Sequence, residues 1–84
     1  MNSRAGKYDP LSQFLRSSSG SRIRAAFRQL ERMLGGKLPA SARQYCAWWA
    51  NDRSHVQAKA WLTARYNVHF VEMGQEWVMF ERVA

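Results

Sequence analysis

Cys46, His55 and His69 are the only thiol and imidazole groups in this chain, and their spacing bears on whether it can do metal or nucleophilic chemistry. A zinc site wants three or four such ligands, usually in close pairs. These three are scattered over two predicted helices and a predicted strand, so no metal is expected. Cys46, between Tyr45 and Ala47, reads as a buried helical thiol. A Cys–His nucleophile pair needs an activating environment, and nothing in the spacing supplies one. The six carboxylates fall at no separation suited to acid–base work. Glu31 lies three residues from Arg28 and is expected to temper a basic helix face. Gly35-Gly36-Lys37 lacks the surroundings of a phosphate loop. The expectation is a non-catalytic protein without a cofactor.

Cations are the residues that remain. Residues 1–43 carry nine Lys and Arg against Asp9 and Glu31, whereas residues 44–84 carry four of each sign. The net charge of +7 therefore belongs to the first half of the sequence. Folding does not need such a field, but binding a polyanion or an acidic surface benefits from one. Arg16, Arg22, Arg24, Arg28, Arg32, Lys37 and Arg43 are the candidate binding residues, with Glu31 the one acid across that span. Each alone could be a solvated side chain whose stem covers apolar surface. As a set they suit phosphates, or carboxylates taken by the planar guanidinium fork. Trp48 and Trp77 are candidates for aromatic contact with a ligand. Trp48, Trp49 and Trp61 read mainly as core. Trp48 and Trp49 are adjacent on a helix and cannot both point inward, so one belongs at the core edge with its indole N–H on a partner, Asn51 being a candidate acceptor.

The elements that must position these residues fit one small domain. The chain has 84 residues, 46% of them hydrophobic, too many for a disordered chain. One cysteine forbids an internal disulfide, which fits a reducing, cytoplasmic setting. The N-terminus has no apolar signal core and no stretch reaches membrane-spanning length, so no membrane partner is expected. Residues 1–7 read as a flexible basic arm, and residues 8–84 as a single compact domain.

Asp9 can cap a helix with Pro10 at its first position, placing Leu11, Phe14 and Leu15 on one face. Ser17–Ser21 is a flexible break. Arg22–Leu34 supports two readings, which periodicity separates only slightly in favour of the first. It could be one helix with an apolar stripe of Ile23, Phe27, Leu30 and Leu34, or a strand over Arg22–Ala25 followed by a helix. Gly35-Gly36 ends the helix in either case. Ser41-x-x-Gln44 and Ser54-x-x-Gln57 are capping boxes that predict helices to about Ala50 and Ala64, a helix–turn–helix unit. From Val68 the period becomes two, with Val68, Phe70 and Glu72 on one face. Gly74-Gln75 predicts a two-residue hairpin turn. Trp77 and Met79 face one side of the last strand, and Val78 and Phe80 the other. Both sides are apolar, which predicts packing on each or an exposed aromatic patch. A lone hairpin is marginal in water, and this favours a third strand from Arg22–Ala25.

The expected fold is α+β, a small winged-helix-like domain of about four short helices with a C-terminal β-hairpin and a possible third strand. Its expected core is Phe14, Phe27, Leu30, Leu34, Tyr45, Trp49, Trp61, Phe70 and Phe80.

Leu38-Pro39-Ala40-Ser41-Ala42-Arg43, then Trp48-Trp49-Ala50-Asn51, His55, Gln57-Ala58 and Ala60-Trp61-Leu62, together resemble a family of small uncharacterised bacterial and phage proteins. The resemblance extends over roughly residues 8–82. It implies a strand before the Phe27 helix, and a glycine then an aromatic after the Trp-Leu helix, where this chain has Arg65-Tyr66. The family has no agreed activity, so the resemblance implies fold more than function. A looser likeness to phage anti-defence inhibitors implies an alternative function. The sequence thus leads to nucleic-acid binding through the Arg-rich half. The alternative is a phage-encoded, anti-CRISPR-type inhibitor that binds an acidic or nucleic-acid-binding surface of a host effector complex.

Overall fold

A computed structural model describes residues 6–83. Residues 1–5 of the expected basic arm lie outside the described residues. Helix α1 (Asp9–Arg16) leads to strand β1 (Arg22–Ala26) and helix α2 (Phe27–Leu34). Helix α3 (Ala40–Gln44), a 3-10 turn (Cys46–Trp49) and helix α4 (Val56–Leu62) follow, and strands β2 (Tyr66–Glu72) and β3 (Trp77–Arg82) close the chain. The strands form one antiparallel sheet in the order β1-β3-β2. This element order and strand order make the protein a small winged-helix-like α+β domain.

Arg22–Leu34 is a strand followed by a helix. Pairing explains the choice, because Arg22–Ala26 lies along β3 from Glu81 to Trp77 and supplies the third strand that the hairpin needed. Gly35 ends α2 in the left-handed conformation (φ 76°), and the N–H groups of Gly35 and Gly36 both donate to the Glu31 carbonyl. The Ser17–Ser21 break is tied down: the Tyr66 hydroxyl donates to the Gly20 carbonyl (2.8 Å) and Arg82 to the Ser18 carbonyl (2.9 Å).

Aromatic rings fill the interior between the sheet and the helices. Phe27 stacks on Trp49 (5.0 Å), Trp49 on Trp61 (6.0 Å), and Trp61 leans on Phe80 (5.8 Å). Around this column Tyr8, Leu11, Leu15, Leu30, Tyr66 and Val78 are buried. Phe27, Leu30, Trp49, Trp61 and Phe80 are core as expected, while Phe14 and Leu34 are half-buried against it. Tyr45 and Phe70 are exposed instead.

Several local expectations fail for identifiable reasons. Pro39 takes the N-cap position of α3, so Ser41 falls inside the first turn and caps nothing. The expected long helix breaks at Tyr45, which is extended (φ −131°), and resumes as the 3-10 turn. Three residues per turn after a kink re-aims the tryptophan pair. Trp49 enters the core with its indole N–H on the Ala42 carbonyl (2.9 Å), and Trp48 packs edge-on against it (4.7 Å). The same break leaves Cys46 exposed rather than buried. Ser54 donates its N–H and hydroxyl to Asp52 Oδ1, so the cap of α4 passes to His55. Tyr8, not Asp9, caps α1, and the Asp9 carboxylate accepts from the Gly6 N–H. The hairpin turn spans four residues, Met73–Glu76, and its left-handed residue is Glu76 (φ 59°) rather than Gly74.

Phe70 is the most consequential departure. The ladder pairs Val68 with Phe80 but Phe70 with Met79, so His69 is an extra residue, a β-bulge. One inserted residue flips every later side chain to the opposite face. Val71 turns inward opposite Val78, and Phe70 turns outward opposite Met79.

Candidate nucleic-acid interface

The outer face of the sheet follows from the ladder. Arg22 and Arg24 of β1, Trp77, Met79 and Glu81 of β3, and Phe70 and Glu72 of β2 share it. Ile23, Ala25, Val78, Phe80 and Val71 share the inner one. The Arg24 guanidinium lies 4.1 Å from the centre of the Trp77 ring, within cation–π range. Phe70, half exposed (51%), packs against the other aromatic at 5.6 Å. The Trp77 indole N–H is buried beneath this cover with no acceptor. The acids of this face are occupied: Glu81 takes Arg22 (3.0 Å) and His69 (3.4 Å), and Glu72 accepts from the Gly74 N–H in the turn.

The seven candidate cations do not form one surface. Arg22 and Arg43 are ion-paired and Arg24 is stacked on Trp77. Arg28, Arg32 and Lys37 are exposed on α2 and the loop after it, with no ion pair among the described residues. Arg16 stands at the end of α1, on the helical side of the sheet.

Arg43 is the residue most changed by the fold. Its guanidinium gives two hydrogen bonds to the Glu31 carboxylate (2.6 and 3.2 Å) and a third to Glu76 (3.0 Å). Glu31 also accepts the Leu38 N–H (2.8 Å). These bonds hold the Glu31 carboxyl below its ordinary pKa, the Arg43 bonds contributing most, and raise that of Arg43. The pair is half-buried and bidentate, and it clamps α2, α3 and the hairpin turn together. Glu31 therefore serves Arg43 rather than Arg28.

Trp48 is half-buried between Trp49 and Tyr8 (6.0 Å), part of the core edge rather than an open platform. Asn51 accepts from the Trp61 indole (2.9 Å) and the Val68 N–H (2.8 Å), and donates to the Val68 carbonyl (3.0 Å). Cys46, His55 and His69 sit apart with their own neighbours. Among the described residues no three His, Cys, Asp or Glu side chains come together as a metal site. No helix among them is long and apolar enough to cross a membrane.

Cations outside the seven candidates lie around α4. Lys7 and Lys59 line a groove between α1 and α4 together with the candidate Arg16, and Arg53 and Arg65 line a hollow at the end of α4. Counting charge by halves of the chain could not find them, because ion pairs cross the halves. Glu76 and Glu81 neutralise Arg43 and Arg22, which leaves Arg53, Lys59 and Arg65 without acidic partners among the described residues.

The molecule is thus a winged-helix-like domain with a basic, partly aromatic surface. Residues 8–83 match the family described as a domain of unknown function (DUF7662), and the chain belongs to it. No curated protein and no solved structure matches the chain.

Proposed function

We propose that this protein is a small, non-catalytic nucleic-acid-binding module whose outer sheet face receives unpaired bases. The observation that supports this reading is Arg24 stacked 4.1 Å over Trp77, with exposed Phe70 beside them. Flat aromatic faces accept bases of any sequence, and an arginine held beside them by stacking adds cation–π attraction and a phosphate contact. Arg28, Arg32 and Lys37 supply further charge from α2 and its loop. The bulge at His69 is what sets Phe70 on this face, and bulges recur where a side chain must be re-aimed.

Fluorescence anisotropy with a labelled single strand and the matching duplex tests this. Binding should be tighter to the single strand. Phe70→Ala should weaken it about five- to hundredfold, the value of one lost stack. Arg24→Gln with Arg28→Gln should flatten the single-strand salt slope by about 1.4, at roughly 0.7 per phosphate. Absence of binding to either form at low salt would sink the reading. The phage anti-defence inhibitor, acting on a host protein surface, would then be the hypothesis to test by co-purification.

A further inference from the structure

The groove between α1 and α4 lies on the helical side of the sheet, away from Trp77 and Phe70. It encloses about 440 Å³ and is lined by Lys7, Tyr8, Ser12, Gln13, Arg16 and Lys59, among others. A second hollow of about 490 Å³, lined by Arg53 and Arg65, shares Thr63 with it, so the two adjoin along the exposed side of α4. Five cations face this track, and the one carboxylate beside them is Asp9.

That imbalance is a product of how the acids are used. Asp9 accepts from the Gly6 N–H, Asp52 from Ser54, and Glu72 from Gly74. Glu31 and Glu76 hold Arg43, and Glu81 holds Arg22. All six carboxylates of the chain are thus occupied. None forms an ion pair with Lys7, Arg16, Arg53, Lys59 or Arg65 among the described residues. Like charges gathered on one surface repel, and a polyanion laid along them would relieve the repulsion.

We infer that the track along α4 binds the phosphodiester backbone of a nucleic acid, as a second contact separate from the base-stacking face. The inference rests on the nucleic-acid reading for its ligand and on different residues for its site. The donors fit phosphate oxygens: ammonium and guanidinium groups line the groove together with Ser12 and Gln13, whose hydroxyl and amide are groups that commonly contact phosphate. The Tyr8 phenol that also lines the groove adds no negative charge to it, its pKa being raised further above the ordinary value by burial.

A titration of the ¹⁵N-labelled protein with a short single-stranded oligonucleotide tests this, with inorganic phosphate at matched ionic strength as the second arm. The oligonucleotide should shift the amides of Gln13, Lys59 and Thr63 as well as those of Phe70 and Trp77. Inorganic phosphate should leave the first group in place. Arg16→Gln with Lys59→Gln should reduce the single-strand salt slope by about 1.4 while the Phe70 and Trp77 shifts persist. Shifts confined to the sheet, or an unchanged slope in that double variant, would overturn the inference and leave the base-stacking reading standing. An equal response to inorganic phosphate would also overturn it, by making the groove a small-anion site. No shift on either face would remove both readings. Both side chains are exposed and outside the ion pairs, and a melting curve of the double variant confirms that its fold is intact.

Discussion

Arg43 and Lys59 are both cations on short helices, yet the fold treats their neighbourhoods in opposite ways. Around Arg43, α2, α3 and the hairpin turn converge, and two carboxylates and one guanidinium close a half-buried junction with bonds of 2.6–3.2 Å. Around Lys59, α1 and α4 run side by side and five cations face solvent with one carboxylate among them. The first arrangement lowers the energy of the folded chain by itself. The second raises it slightly and becomes favourable only with an anion present. Residue type is the same in both places, so it is the partner that separates a structural cation from a binding one.

The largest effect should come from opening the junction. Glu31→Ala removes the acceptor of two Arg43 bonds and of the Leu38 N–H, leaving a half-buried guanidinium facing Glu76 alone. A loss of about 2–3 kcal/mol is expected, below the value for a fully buried pair because solvent reaches this one. In a domain of this size that lowers the melting temperature by about 10–20 °C, measurable by circular dichroism. Arg43→Gln should destabilise comparably but leave the salt slope of nucleic-acid binding unchanged below its melting point. A slope reduced by about 0.7 in Arg43→Gln would place Arg43 among the phosphate contacts and erase the contrast with Lys59.

Acid should act on one region and spare the other. The folded-state pKa of Glu31 lies below its ordinary value because Arg43 and the Leu38 N–H bond the carboxylate. A depressed carboxyl contributes stability that is fully present above its unfolded-state pKa and is lost as pH falls through the folded-state value. The stability gap between the wild type and Glu31→Gln should therefore be constant near neutrality and close in the acid range. Lys59→Gln should show no such closure, since Lys59 has no carboxylate partner among the described residues. A gap for Glu31→Gln that stayed constant down to the acid transition would mean the ion pair adds nothing to folding.

What the sequence made legible follows the same division. The C-terminal hairpin, the Gly35 cap and the core positions of Phe27, Trp49 and Trp61 arise from hydrophobic pattern and turn chemistry, both local in sequence. The junction, the bulge and the charge track are not local. Arg43 meets Glu76 across 33 residues and Arg22 meets Glu81 across 59, so no window along the chain contains both partners. The two serine caps failed because neighbours competed for the same role: Pro39 began α3 two residues early, and Asp52 captured Ser54. The bulge at His69 leaves no mark in an alternating pattern that reads equally well in either register, and so the exposure of Phe70 could not be foreseen. Many motif residues behind the family resemblance turn out to hold the fold. Ala42 accepts the Trp49 indole, Arg43 closes the junction, and Asn51 joins Trp61 to β2.

The smallest expected effect gives the sharpest comparison, because one residue carries both signs. Arg65 sits in the left-handed region (φ 69°) at the turn between α4 and β2, where the resemblance implied a glycine. An L-residue there costs about 1–2 kcal/mol, whereas glycine adopts the conformation freely and loses about 0.5–1 kcal/mol of unfolded-state entropy. Arg65→Gly should therefore stabilise the domain by about 0.5–1 kcal/mol, a rise of roughly 2–6 °C in melting temperature. The backbone bond from the Val83 N–H to the Arg65 carbonyl survives the change. The same substitution removes one cation from the track along α4 and should lower the single-strand salt slope by about 0.7. A more stable protein that binds less tightly would mean that the strain at this turn persists for the charge it carries. If Arg65→Gly is instead less stable, the side chain supports the fold and the track loses one of its five cations.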